Sequence, residues 1–444
     1  MLNNLNKLDE QSRRLFMANV AKATFGLSFL PVFAQGAYAD TPTPAPAKKE
    51  IAEDRYHERR SKPAKHLIYL YMSGGMSHVD TLDPKPGSSS QGPFKAINSA
   101  ADGIQMGEHL PLLAKLMKHG TIIRSLNSNV GAHAEAAYLM RTSYAARNTV
   151  RHPSMAAWLN YFQGTGKESL PGGIMVSGGG AHPLSGFLES KFAPLPIGDP
   201  RAGLKNSTPP PGIDMKEMGS RIDVLGQLNK SFYAKYNQKA MRSHHDMYTD
   251  AVKLMSSKDL DAFDISKEPE EIQKSYGDNA FGEGCLLARR LLEKGVRCVD
   301  ITLGGWDTHD DNFDKLEGKL PILDQGFSAL VSDLEKKGML NDTLICLTGD
   351  FGRSPHINNT NGRDHYPKAF SSLLMGGGLK GGMVYGKTNA DGTEVAEGKI
   401  GVPDLNATIA YGLGLALDKV VTSPDGRPFT VADKGKPLTD LYKA

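Results

Sequence analysis

Cysteine and tryptophan are scarce in this chain, neither sign of charge is in clear excess, and beyond residue 39 no long apolar run occurs. The three cysteines, Cys285, Cys298 and Cys346, are odd in number and sit among apolar neighbours. No disulfide framework is indicated, and they read as small buried hydrophobes. Fifty-two Lys and Arg oppose 49 Asp and Glu, a formal net charge of +3, and that balance argues against nucleic acid as an obligatory partner. Spanning a bilayer takes about twenty consecutive strongly apolar residues. None of the later segments qualifies, so no transmembrane anchor is expected and the mature protein should be soluble or peripheral. No internal repeat is visible. The 48 glycines and 39% hydrophobic content fit a loop-rich globular enzyme rather than a disordered chain.

What is present starts at the N-terminus. Ser12-Arg13-Arg14-Leu15-Phe16-Met17 is followed by a weakly apolar stretch rich in Ala and Gly, and Ala37-Tyr38-Ala39 has the small-x-small form of a cleavage site. Residues 1–39 therefore read as a twin-arginine signal peptide. The translocase of that route is then a partner during export, and the folded protein works in the periplasm or is secreted. Residues 40–65, rich in Pro, Ala, Lys and Glu, read as a flexible or extended linker.

From His66 onward, short apolar runs end in Gly-rich loops. They are His66–Met72, Gly173–Gly178, Val296–Leu303, Thr343–Thr348 and Ser371–Met375. Between them, Leu110–His119, Pro153–Phe162, Phe281–Lys294 and Ile322–Lys337 carry apolar residues three and four apart. Strands without polar alternation, separated by amphipathic helices, predict a mostly parallel sheet covered on both faces, with ligands bound beyond the strands' carboxyl ends. The segment 219–276 differs, being polar and Lys-rich, and is expected to be a helical insertion in a domain spanning 66–444.

His, Asp and Gly gather at those strand ends. The clusters are Ser73-Gly-Gly-Met-Ser-His78-Val-Asp80, Gly304-Gly-Trp-Asp307-Thr-His309, Gly349-Asp350-Phe-Gly-Arg353 and Gly362-Arg363-Asp364-His365. Imidazoles and carboxylates in such number at one sheet edge suit a divalent metal: zinc or manganese where imidazole dominates, magnesium or calcium where oxygen does. Arg353 and Arg363 are suited to hold a phosphate or sulfate group bidentately, or else to form salt bridges with nearby Asp residues.

Together, Leu70–Pro86 (Leu-x-Met-Ser-Gly-Gly-x-Ser-His-x-Asp-Thr-x-Asp-Pro-Lys-Pro), Gly-Gly-Trp-Asp-Thr-His at 304–309, Gly-Asp-Phe-Gly-Arg-Ser-Pro at 349–355, Gly-Arg-Asp-His-Tyr-Pro at 362–367 and the Gly-rich run 374–382 resemble the bacterial family called domain of unknown function 1501. That family is grouped with the alkaline phosphatase and sulfatase superfamily. The resemblance implies a three-layer α/β/α sandwich with a mostly parallel central sheet, and a bimetal site at its C-terminal edge. His78 or Asp80 would stand for the ligand after the first strand, and Asp307 and His309 for a later Asp and His, spaced more tightly than in the superfamily. Asp350 would stand for the Asp of an Asp-His pair whose His position is taken by Phe351, and His365 for the last His. No hydroxyl stands where the superfamily places its nucleophile, before the helix expected from Ala134. His133 is there instead and is the candidate nucleophile or general base, with Arg353 to hold the anion. Cys285-Leu-Leu-Ala-Arg289 resembles a sulfatase signature only superficially and reads as core.

The expected function is an exported metal-dependent hydrolase of phosphate or sulfate esters, acting on an anionic small molecule or a saccharide ester. The competing expectation is a catalytically degenerate member that binds an anion, a sugar or a protein without turnover.

Overall fold

The computed structural model describes residues 59–167, 169–177, 182–236 and 239–443, so the expected signal peptide and most of the linker lie outside the described residues. The end of the linker packs on the domain. Ala64 donates its N–H to Gly412 O at 2.8 Å, and the Arg60 guanidinium lies 4.7 Å from the Tyr442 ring centre.

Nine strands form the central sheet: β1 (His66–Met72), β2 (Gly120–Asn127), β3 (Gly173–Val176), β4 (Leu195–Ile197), β5 (Cys298–Leu303), β6 (Thr343–Gly349), β7 (Phe370–Gly376), β8 (Met383–Tyr385) and β9 (Ile400–Gly401). Their order is β8-β2-β7-β6-β1-β5-β3-β4, with β9 also pairing to β2. All the pairings are parallel except the two made by β7, which runs against both β6 and β2. The sheet is therefore mostly parallel, as its apolar strands predict. The sequence pattern misses the short strands β4, β8 and β9 and the long strand β2, in which Thr121, Arg124 and Ser125 interrupt the apolar run.

The helices used below are α1 (Pro111–Lys115), α2 (His133–Thr142), α3 (Met155–Gln163), α4 (Met215–Tyr236), α5 (Lys239–Met255), α6 (Glu270–Tyr276), α7 (Ala280–Glu293), α8 (Asn312–Lys336) and α9 (Val402–Gly412). β1 shows how they cover the sheet. Ile68, Leu70 and Met72 enter one core with Leu113 of α1, Leu286 and Leu291 of α7, and Leu323 and Phe327 of α8. Leu67, Tyr69 and Tyr71 point the other way, into a second core with Met140 of α2, Trp158 of α3 and Leu405 and Ile409 of α9. Successive strand residues face opposite sides, so both faces of β1 are apolar because each has its own helical layer. The result is a three-layer α/β/α sandwich. The three cysteines are buried and free, as read from their neighbours, and burial pushes the Cys285 thiol far up. The segment expected to be a helical insertion holds most of α4 together with α5 and α6. Helix α8 starts ten residues before the expected Ile322, with Pro321 in its interior.

Side-chain caps set three of these helix starts. Ser154 Oγ accepts from Ala157 N at the head of α3, Asp214 Oδ1 from Glu217 N at the head of α4, and Asn279 Oδ1 from Gly282 N at the head of α7. Helix α2 has no such cap. It follows Ala132 and begins at His133, where the flexible Gly131-Ala132 entry places it.

Candidate metal centre

The loops after β1, β2, β5 and β6 leave the same edge of the sheet, since those strands are parallel. Because β7 is reversed, the loop before it reaches that edge too and delivers His365. The site is built on one atom, Asp307 Oδ1. His309 Nε2 lies 3.1 Å from it, His365 Nε2 3.2 Å and His133 Nε2 3.4 Å. The ligand atoms of His133, Asp307 and His365 all lie within 4.8 Å of one another, the one such group among the described residues.

Each ring is held from behind through its other nitrogen. His133 Nδ1 is 2.6 Å from Asp350 Oδ2, His309 Nδ1 is 2.7 Å from Asp364 Oδ1, and His365 Nδ1 is 2.8 Å from Gly131 O. A carbonyl or a carboxylate only accepts, so these contacts assign the proton to Nδ1 and turn the Nε2 lone pair inward. Metal-bound imidazoles are oriented in the same way. Lone pairs facing a carboxylate oxygen at 3.1–3.4 Å repel unless a cation or protons lie among them. That spacing matches ligands about 2 Å from a shared ion. His133 Nε2 is buried without a hydrogen-bond partner. The donor set thus fits a divalent metal.

Arg353 and Phe351 supply the frame. The Arg353 side chain is wholly buried, and all three of its nitrogens are engaged: Nε with Gly75 O, Nη1 with Arg363 O, and Nη2 with Gly74 O and Asp307 Oδ1. Burial pulls the Arg353 pKa down, against the charge of Asp307. Burial likewise opposes ionisation of Asp307, but the bond and charge from Arg353, with His365 and His133, outweigh it and hold the carboxyl down at about 2. Phe351 forms an apolar wall, its ring centre 5.0 Å from that of His133 and 4.7 Å from that of His365. Gly74 has φ +114°, and a Cβ there would come within 2.4 Å of Asp307 N, so only glycine allows this close approach.

Asp307, His309 and His365 meet as expected, and three expectations change. His78 and Asp80 do not join the cluster. His78 is buried with Nε2 on Gly392 O at 2.8 Å, and the Asp80 carboxylate is taken by Arg363 at 2.8 and 2.9 Å and by Asn312 at 3.0 Å. Asp350 stands behind His133 rather than on the inner surface. One of its oxygens accepts from Tyr71, the other from Gly74 N and His133 Nδ1. Arg353 does not hold an anion, since its donors serve main-chain carbonyls and Asp307. Its neighbour Arg363 is the buried salt-bridge partner of Asp80. His133, read as nucleophile or base, turns its free nitrogen toward the donor set. Its Asp350 partner is separated from it by 217 positions, and no local spacing signals that contact.

Fold and site together define an α/β/α sandwich protein with an imidazole–carboxylate cluster at the C-terminal edge of its parallel strands. The chain belongs to the family described as protein of unknown function DUF1501, whose model matches residues 64–442. No curated protein sequence matches it. Among solved structures it is similar to the PsFucS1 sulfatase from Pseudoalteromonas sp., at 15% identity over 84% of this chain and 73% of that one, with a TM-score of 0.38. It is also similar to the lipoteichoic acid synthase LtaP from Listeria monocytogenes, at 11% identity over 86% and 91%, TM-score 0.34. A third is the alkaline phosphatase from the Antarctic bacterium TAB5, at 14% identity over 75% and 96%, TM-score 0.34.

Proposed function

We propose that this protein is an exported, metal-dependent hydrolase of phosphate or sulfate esters. The observation that carries the reading is the convergence of three outward-anchored imidazoles on the ionised Asp307. His133, Asp307 and His365 would hold the metal, with His309 beside them, and an imidazole-rich set favours zinc or manganese over magnesium or calcium. Such an ion supplies Lewis-acid polarisation of an ester oxygen and a water of lowered pKa. Arg353 fixes Asp307, and Phe351 keeps water from one side of the rings. Helix α2 opens beside the cluster without a side-chain cap, so its first-turn amides are suited to an anionic group of the substrate. An anionic saccharide ester or a smaller phosphate or sulfate ester fits this chemistry.

Purified protein should hydrolyse members of a panel of aryl and saccharide phosphates and sulfates once loaded with zinc or manganese. Chelation and His133→Ala should each abolish turnover. Absence of turnover by the metal-loaded protein across the panel would favour the second reading, a binder without catalysis. That reading is favoured by one observation: the helix start beside the cluster carries His133, between Ala132 and Ala134, rather than a hydroxyl or thiol side chain.

The export part of the proposal rests on Arg13-Arg14 and Ala37-Tyr38-Ala39. Arg13→Lys with Arg14→Lys should leave the precursor in the cytoplasm, and unchanged periplasmic yield would defeat it.

A further inference from the structure

Behind His133 the polar contacts continue into the second core. Asp350 is buried and takes a hydrogen bond from the Tyr71 hydroxyl on the oxygen that His133 leaves free. Tyr71 is itself about 1% exposed, on the face of β1 that packs under α2. The guanidinium carbon of Arg141 sits 3.6 Å from the Tyr71 ring centre. Arg141 lies two turns along α2 from His133, so one helix places both residues. It is held there by Asp300 of β5, with Nε 3.1 Å from Oδ2. His182 approaches the same carboxylate at 3.4 Å. Burial opposes ionisation of Asp300, yet Arg141 and His182 more than offset this and hold the carboxyl at about 2. A cation over an aromatic face withdraws electron density from the ring, which makes the phenol a stronger donor.

Resting on the metal reading above, we infer that Tyr71, backed by Arg141 and Asp300, is a positioning residue for the metal centre. It fixes Asp350, and Asp350 fixes the ring and tautomer of His133. The Asp350 carboxylate has no freedom to turn, because Tyr71, Gly74 N and His133 occupy its two oxygens from three directions. His133 Nε2 is thereby aimed at Asp307 Oδ1. Outer partners of metal-binding histidines contribute about 10- to 100-fold to metal affinity.

Tyr69 provides an internal control. It lies two residues earlier on the same strand face, equally buried, and its hydroxyl donates to Met140 O at 3.3 Å rather than to Asp350. Zinc and manganese dissociation constants are measured by chelator competition on the full-length mature chain, alongside the thermal midpoint of the metal-free protein. Tyr71→Phe is expected to weaken binding of either ion about tenfold, whereas Tyr69→Phe leaves it within twofold. Asp350→Asn should weaken it at least as much as Tyr71→Phe. Combining Asp350→Asn with Tyr71→Phe should add little, since both act through one carboxylate. Wild-type affinity in Tyr71→Phe, or equal losses in the two tyrosine variants at matched thermal midpoints, would overturn the assignment of Tyr71 and leave the metal reading standing. A wild-type chain that takes up neither ion would sink the metal reading, and this inference with it.

Discussion

Asp80→Ala is expected to destabilise the protein by about 3–5 kcal/mol, the cost of removing one partner from a buried ion pair. Neither side chain of the Asp80–Arg363 pair is exposed at all. The pairing is bidentate, with Arg363 Nε on one Asp80 oxygen at 2.8 Å and Nη2 on the other at 2.9 Å. Arg363 would keep its bonds to the main-chain oxygens of Ser90, Ser354 and Pro355. Those dipoles do not neutralise a guanidinium sealed from water. Replacing both partners by apolar residues, Asp80→Leu with Arg363→Met, should cost well under the sum of the single changes, because no orphan charge remains. Urea unfolding of the two single variants and the double variant makes the comparison. A loss below about 1 kcal/mol for Asp80→Ala would mean that the pair is open to solvent.

Asp307→Asn should lower affinity for zinc or manganese by more than about 100-fold, beyond the effect of any outer partner of the histidines. The carboxylate brings the one formal negative charge on the inner surface, and Arg353 keeps it ionised. The amide keeps an acceptor for Arg353, so the frame should survive while the charge that faces the imidazoles is lost. Metal content after dialysis against a weak chelator, read with the stability of the metal-free protein, separates loss of the site from loss of the fold. Near-normal metal content in Asp307→Asn would place the ion elsewhere.

The fold was largely legible because a strand buried on both faces has no room for polar alternation. The runs at His66–Met72, Val296–Leu303 and Thr343–Thr348 announce themselves in that way. β2 does not, because Arg124 reaches past the strand to Leu82 O and Gln105 O, and Thr121 and Ser125 are buried despite their hydroxyls. The reversal of β7 has no local signature either, since a strand reads alike in both directions. At the site, residue types were legible and roles were not. His and Asp mark a chemistry wherever they occur, but whether Asp350 faces inward or stands behind an imidazole depends on His133, over two hundred residues away. Asp80 and Arg363 are likewise separated by 283 positions, and no spacing rule reveals that they spend their charges on each other.

Arg353 joins the loops after β1, β5 and β6 and the loop that carries His365, and all but one of its bonds end on main-chain oxygens. A fastener that grips the backbone is indifferent to which side chains the gripped residues carry. The rim of the site can thus exchange its side chains while the spacing of the clustered imidazole and carboxylate atoms stays put. The price is concentrated in a few places: the guanidinium itself, the carboxylate of Asp307, and glycine at position 74, where any side chain would push the β1 loop off the one that bears Asp307.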